Sequence, residues 1–486
     1  AMMLGLLDRI DTRLDRVPAA WFKGGLLVLY ALVVALTMSR HEMWRDEIQA
    51  WLIARDSHGI ADLVWNRRYE GHPLLWHLIL LPVSALGRDP RLMQVAAWVI
   101  SVAAMAVLIL RGPFRRSELL LLPFGYYLLF EYGVKSRGYM LGCLLLFAFC
   151  ALFGRNRRGT LPLAVPLALL AQVHVLFLIV AIGAVAFAAL DRLSSREPAT
   201  AADICALVIV GLGVAGAALS MVPPADSGFA TEWFFAPNWK RFATTFRALG
   251  GMIVPTILPL NRAAAVVAAL LCAVMLMRWR RSPAATLFLA ISTGGILAFL
   301  YVKYPGHVWH HGLFFVILLA TVWLSRLRGS GDLLPRGLFV LVLLVQASIG
   351  FRAAAIDLAG TYSNGKSVAD YLRAQGWAVD PLVGVGDTAV VTVVGYLERD
   401  SAYYAEGRRF GSFVRLDAAR TEPVDLAATL TDADAFGPCV NLVSARPLDA
   451  DVLAAHAYRE VARFDDGVTE PYVLYRRATG PCPKAP

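Results

Sequence analysis

The stretch Gly24–Trp51, GGLLVLYALVVALTMSRHEMWRDEIQAW, decides how the rest of the chain is read. Its first half is an unbroken apolar run of the kind that crosses a bilayer as a helix. Its second half places Asp46 and Glu47 side by side, between Arg45 and two tryptophans, at the point where that run ends. Such a pair is either an acidic helix start, with Trp44 and Trp51 anchoring at the headgroups, or part of a reaction centre at the membrane face.

Composition places the whole chain in the membrane. Of 486 residues, 58% are hydrophobic and only 17% are charged, which is too apolar for a soluble globule of this size. The net charge of +10 does not point to nucleic acid. Most of the arginine lies in short clusters between apolar runs, the pattern that sets membrane topology. Those clusters are DRIDTRLDRVP, RGPFRR, GRNRRG, DRLSSREP, RWRRSP and RLRGSGDLLPRG. Placing all six in the cytoplasm requires an even number of crossings between successive clusters.

One stretch resists that count. PLLWHLILLPVSALG, residues 73–87, is short and holds His77 and Pro82, whereas a spanning helix needs about 20 residues. It is read as an interfacial or re-entrant helix on the outer side, with Leu92–Leu110 as the second span. The remaining runs alternate to give about 11 spans, although Leu161–Gln172 is short and Gly251–Leu260 is ambiguous. The N-terminal run carries no small-residue cleavage site and is taken as a retained anchor.

After Arg352 the composition changes. Segments such as SVADYLRAQG, PLVGVGD, PCVNLVSARP and PYVLYRR alternate short helices with short strands. The expected organisation is a transmembrane module over residues 1–351 and an α/β domain over residues 352–486, long enough to bury its own core. GVGDT lacks most of a phosphate-loop pattern and is given little weight. Cys143, Cys150, Cys205 and Cys272 fall in apolar runs, where a thiol acts as a small hydrophobe. Cys439 and Cys482 both fall in the C-terminal domain and are expected to form a disulfide in an oxidising compartment. None of the six has metal-site spacing.

The map places on one face Ser39–Arg91, EYGVKSRGY, AQVHV, PPADSGFATEWFFAPNWKRFATTFR, YVKYPGHVWHHG and the C-terminal domain. Cations gather in these otherwise apolar and aromatic loops: His72, Lys135, Arg137, His174, Lys240, Arg241, Lys303, His307, His310 and His311. DEIQAWLIARD reads as an amphipathic helix with Ile48, Trp51 and Leu52 on its apolar side. Carboxylates facing basic groups at the lipid boundary suit a substrate whose phosphate lies near the headgroup plane. Lys135 and Arg137 are the phosphate-binding candidates, with His307, His310 or His311 completing the cradle. Arg45, His72, His174, Lys240, Arg241 and Lys303 are further candidates for the substrate cavity. His310 and His311 are adjacent and diverge on a helix, so the pattern neither requires nor excludes a divalent metal.

RDE after the first span, GHPLLWHLILLPVSALG beyond it and YGVKSRGYMLGCLLLF after the third span resemble membrane glycosyltransferases of the GT-C class, in the protein-mannosyltransferase and aminoarabinose-transferase group. In that group an Asp-Glu pair in the first outer loop precedes juxtamembrane helices, and a terminal soluble domain is common. This chain departs in having HPL in place of a double proline and no Asp in EYGVKSRGY. The resemblance implies a bacterial inner-membrane enzyme with a cytoplasmic N-terminus and a periplasmic C-terminal domain. It implies transfer of one sugar from a polyprenyl phosphate to a lipid, glycan or protein hydroxyl, with inversion. Asp46 would be the base and Glu47 a supporting acid that orients Arg45 or the loop. A transporter or flippase of a lipid-linked sugar is the competing class, but transporters place ionisable residues near the bilayer midplane, whereas these spans carry almost none. A surface-polysaccharide polymerase or ligase shares the donor chemistry and stays open.

Overall fold

Pro123 and Gly125 break the third apolar run. A proline inside a helix lacks the N–H of one backbone bond and clashes with the preceding turn. In the computed structural model the run is therefore a short helix at Arg116–Leu119, a 3-10 turn at Leu122–Phe124 and a π-helical turn at Tyr127–Glu131. The third apolar run is thus not one continuous helix. The structure describes residues 2–155, 160–196, 198–228, 232–327 and 332–482. Residues 156–159 of GRNRRG, 197 of DRLSSREP, 328–331 of RLRGSGDLLPRG and 229–231 of PPADSGFATEWFFAPNWKRFATTFR lie outside these.

Among the described residues, seven helices are long and apolar enough to cross a membrane: Ala19–Arg40, Arg91–Arg111, Val175–Ser194, Ala201–Ser220, Pro283–Val302, Val308–Leu327 and Arg336–Ala359. Shorter apolar helices run at Tyr139–Gly154, Leu161–Ala171 and Asn261–Met277. The chain is an α-helical polytopic membrane protein with a small C-terminal α/β region. Val308–Leu327 is buried over 94% of its apolar window and forms the centre of the bundle; Ala19–Arg40 is buried over only 17% and lies at the periphery. Leu75–Ser84 is a ten-residue helix containing Pro82, too short to span.

The last long helix meets the broken run at Gly350, where a Cβ would come within 2.2 Å of the Phe124 carbonyl oxygen. It continues to Ala359, so the boundary expected at 351/352 falls inside it. Beyond it, β1 (Leu382–Val385), β2 (Ala402–Tyr404), β3 (Arg409–Gly411), β4 (Cys439–Ser444), β5 (Tyr458–Phe464) and β6 (Tyr472–Ala478) form one sheet in the order β3-β2-β1-β4-β6-β5. β2, β1 and β4 run parallel, and β3, β6 and β5 add antiparallel edges. Cys439 and Cys482 are disulfide-bonded, with Cα atoms 5.5 Å apart. The GVGDT loop is filled by the protein itself: the Gly386 and Asp387 amides donate to the Glu406 carboxylate at 2.8 and 3.2 Å.

The helix Asp387–Tyr396 between β1 and β2 packs on Arg45–Arg55. The Asp46-Glu47 helix thus lies between the C-terminal domain and the short helix Leu75–Ser84. Trp51 is fully buried and Trp44 nearly so; both are packing residues, not headgroup anchors.

Candidate active site

Glu47 has no exposed surface, and its position explains why the sequence carries two acids in a row. Its carboxylate accepts the Ser136 N–H at 2.6 Å, the Trp44 N–H at 3.2 Å and a bond from His41 Nε2 at 3.2 Å. His41 Nδ1 lies 3.0 Å from Asp357 near the end of the last long helix. Burial opposes a charge on His41, but Glu47 and Asp357 together raise it to about 10. Burial likewise opposes the Glu47 carboxylate, and His41 with the backbone donors brings it below its ordinary range. Glu47 therefore fastens three segments together and makes no bond to Arg45.

One residue earlier the helix turns Asp46 into a cavity of about 1440 Å³. Its carboxylate is about a third exposed, 3.2 Å from Arg137 Nη2 and 3.9 Å from Arg45 Nε. Ser136, clamped by Glu47, is the residue before Arg137, so the acid pair sets both partners of this contact. Arg137 is held between the rings of Trp309 and Tyr139 at 4.8 and 5.2 Å, and its Nη1 is buried without a partner among the described residues.

Lys135 also reaches the cavity wall but is matched locally. Its ammonium lies 2.9 Å from Glu131, which also accepts from the Tyr126 hydroxyl at 2.8 Å. Burial opposes the charge on Lys135, and Glu131 more than restores it. The π-helical turn ends at Glu131, so the break in the third apolar run delivers this acid to the site.

His72, His174 and His310 come together from two loops and the first turn of the helix Val308–Leu327. The Leu75 amide donates to the Gln172 carbonyl at 3.1 Å, tying the EGHP and AQVHV loops side by side. The His72 and His174 rings are 4.9 Å apart, and those of His174 and His310 are 5.2 Å apart. Gly71 turns the chain at φ 65°, a region that favours glycine. Burial, reinforced by Arg137, lowers His72 to about 4. His307 and Lys303 line the same cavity, and Lys303 lies 4.8 Å from the Trp233 ring.

The other expected residues stand elsewhere. His311 diverges from His310 and bonds Thr256 Oγ1 at 2.8 Å and the Pro305 carbonyl at 3.0 Å. Lys240 is exposed, while the Arg241 guanidinium donates to the Tyr301 carbonyl and lies 4.6 Å from the Phe234 ring. Neither lines the cavity. Glu131, Glu70 and Tyr139 line it without having been singled out. Glu131 is four residues before Lys135, a spacing that itself signals a pair, and Glu70 opens the same EGHP that holds His72. Burial raises Glu70 to about 7, with the charge of Asp46 adding to the effect, although Gln49 donates to it at 2.8 Å. Among the described residues, no group of three or more His, Cys, Asp or Glu is arranged to hold a metal ion.

No family model matches the chain, and no curated protein matches it. Among solved structures it is similar to the crystal structure of ArnT from Cupriavidus metallidurans bound to undecaprenyl phosphate, with a TM-score of 0.55 and 13% identity. The two chains share one fold. The alignment covers 94% of this chain and 98% of ArnT, so the shared architecture takes in the helical bundle and the C-terminal sheet together.

Proposed function

We propose that this protein is an integral membrane glycosyltransferase that moves a single sugar from a polyprenyl phosphate to a lipid, glycan or protein hydroxyl at the outer membrane face, with inversion and with Asp46 as base. The observation that carries the reading is the Asp46–Arg137 contact of 3.2 Å in the wall of a large cavity. The fold shared with ArnT, solved with undecaprenyl phosphate bound, supports a lipid phosphate as the donor's leaving group.

In this reading the acceptor hydroxyl oxygen attacks the anomeric carbon while the bond from that carbon to the phosphate oxygen breaks. The hydroxyl proton passes to Asp46, and the polyprenyl phosphate leaves with the electron pair. A phosphate is already a good leaving group, so stabilising its developing charge matters more than protonating it. Arg137 is suited to provide that stabilisation, because Nη2 engages Asp46 while Nη1 is unpartnered. One guanidinium can thereby join base and phosphate. Lys135, neutralised by Glu131, would support the local field, and His307 and His310 would border the head of the donor.

Asp46→Asn is expected to lower transfer by about 10²–10⁴-fold, the usual worth of a positioned base, while folding and undecaprenyl phosphate binding persist. Turnover near the wild-type rate would remove Asp46 from the reaction.

A further inference from the structure

His174 and His310 are both held by backbone amides. His174 precedes helix Val175–Ser194, and its Nδ1 accepts the Leu176 N–H at 3.1 Å. His310 Nδ1 accepts the His307 N–H at 2.9 Å. A neutral imidazole has one N–H, so using Nδ1 as an acceptor puts the proton of each ring on Nε2. Burial and the neighbouring His72 hold His174 well below the ordinary imidazole range, so it stays a single-proton donor at neutral pH.

Both residues are only 6% exposed and line the cavity, and neither Nε2 has a hydrogen-bond partner among the described residues. Tyr139 lies 5.4 Å from the His174 ring and 6.1 Å from that of His310, and its buried hydroxyl is also unpartnered. Arg137 Nη1 stands unpartnered against the same tyrosine. The Arg137 and Tyr139 groups are buried without a partner among the described residues, which is costly, and the two imidazoles line the cavity beside them. This wall therefore fits a ligand that presents several acceptor oxygens, whereas an ammonium placed there would meet the two imidazole N–H groups and the Arg137 cation, with the Tyr139 oxygen the one acceptor among these four groups.

We propose that His174 and His310 are a pair of uncharged hydrogen-bond donors that hold oxygen atoms of the substrate's polar head and select a hydroxyl- or phosphate-bearing head over one carrying an ammonium there. The assignment rests on the transfer reading above. It makes both histidines specificity-determining residues of that site.

The test is binding of undecaprenyl phosphate and of undecaprenyl phosphate glucose to the purified full chain in nanodiscs. His174→Asn and His310→Asn keep an acceptor for the backbone amide, since Asn is a natural helix cap, but lose the distal donor; His174→Gln and His310→Gln keep an N–H near that reach. The Asn variants should bind about tenfold more weakly with unchanged melting temperature, and the Gln variants should recover most of the loss. Weakening with both probes assigns the donors to phosphate oxygens; weakening with the sugar-bearing probe alone assigns them to sugar hydroxyls. Folded Asn variants that bind both probes as the wild type does overturn the proposal and leave the transfer reading intact. A wild type that binds neither probe sinks the transfer reading and the proposal with it. Selectivity needs no variant: undecaprenyl phosphate carrying an amino sugar should bind wild type at least about tenfold more weakly than the glucose form, and equal or tighter binding would overturn it.

Discussion

Asp46 owes its direction to Glu47, which anchors the first turn of their helix to Ser136, Trp44 and His41. Removing one partner from a buried ion pair costs about 3–5 kcal/mol because the other charge is stranded. Glu47→Gln should therefore lower the melting temperature and the transfer rate together, whereas Asp46→Asn should lower the rate alone. A Glu47→Gln protein as stable as wild type would contradict the clamp. Glu70 makes a prediction in pH. Its folded value of about 7 stands above the ordinary 4.5, so its ionisation destabilises the fold increasingly as pH rises from 4.5 to about 7, and by a constant amount above that. Glu70→Gln should match wild type in thermal stability near pH 4.5 and exceed it by about 1–2 kcal/mol at pH 8, allowing for solvent screening; an equal gap at both pH values would exclude the effect. Asp46, Glu47, Arg137 and the histidines stand out in the sequence because charge is conspicuous among apolar loops, but nothing there separates the cavity-lining His72, His174, His307 and His310 from His311, which does not line it. The partners that hold Glu47 are not legible there, because they run through His41 to Asp357, 316 positions further along the chain.

At the scale of elements, the break in the third apolar run does what a straight helix would not. It brings Glu131 inward to meet Lys135 and lets the last long helix approach the backbone at Gly350. A methyl group there would lie 2.2 Å from the Phe124 oxygen and 3.0 Å from the Tyr126 nitrogen, too close for either backbone to accommodate without moving. Gly350→Ala should destabilise the protein by about 1–3 kcal/mol, read as a fall in melting temperature in detergent; a neutral result would mean that the two segments slide freely. Pro123 and Gly125 marked this break in the sequence, yet a long apolar run outweighs them when hydropathy alone is counted. The same reasoning succeeded at residues 73–87, where length and Pro82 argued against a span and the structure has a ten-residue helix.

Across the whole molecule, the C-terminal domain contacts the segment that carries Asp46. The Arg45 amide donates to Glu470 at 3.1 Å, the Met43 amide to the Tyr396 hydroxyl at 2.6 Å, and Gln49 exchanges bonds with Val414 at 2.7 and 2.9 Å. Thr388, Val391 and Arg420 from this domain line the cavity. Composition marked the domain but not its docking, since the contacts join residues hundreds of positions apart through backbone groups that no side-chain pattern announces. The Cys439–Cys482 disulfide makes a direct prediction: of the chain's six cysteines, alkylation of unfolded, unreduced protein should modify the four free ones, and modification of all six would contradict the pairing. The central claim is that Asp46 serves a lipid-linked sugar transfer. Its most direct test is mass spectrometry of envelope glycolipids and glycoproteins from cells carrying wild type or Asp46→Asn at matched expression. Loss of a single-sugar mass from one product is expected in the Asp46→Asn cells, which would also name the acceptor. Unchanged glycans, with a lipid precursor redistributed across the membrane, would contradict it and point to transport.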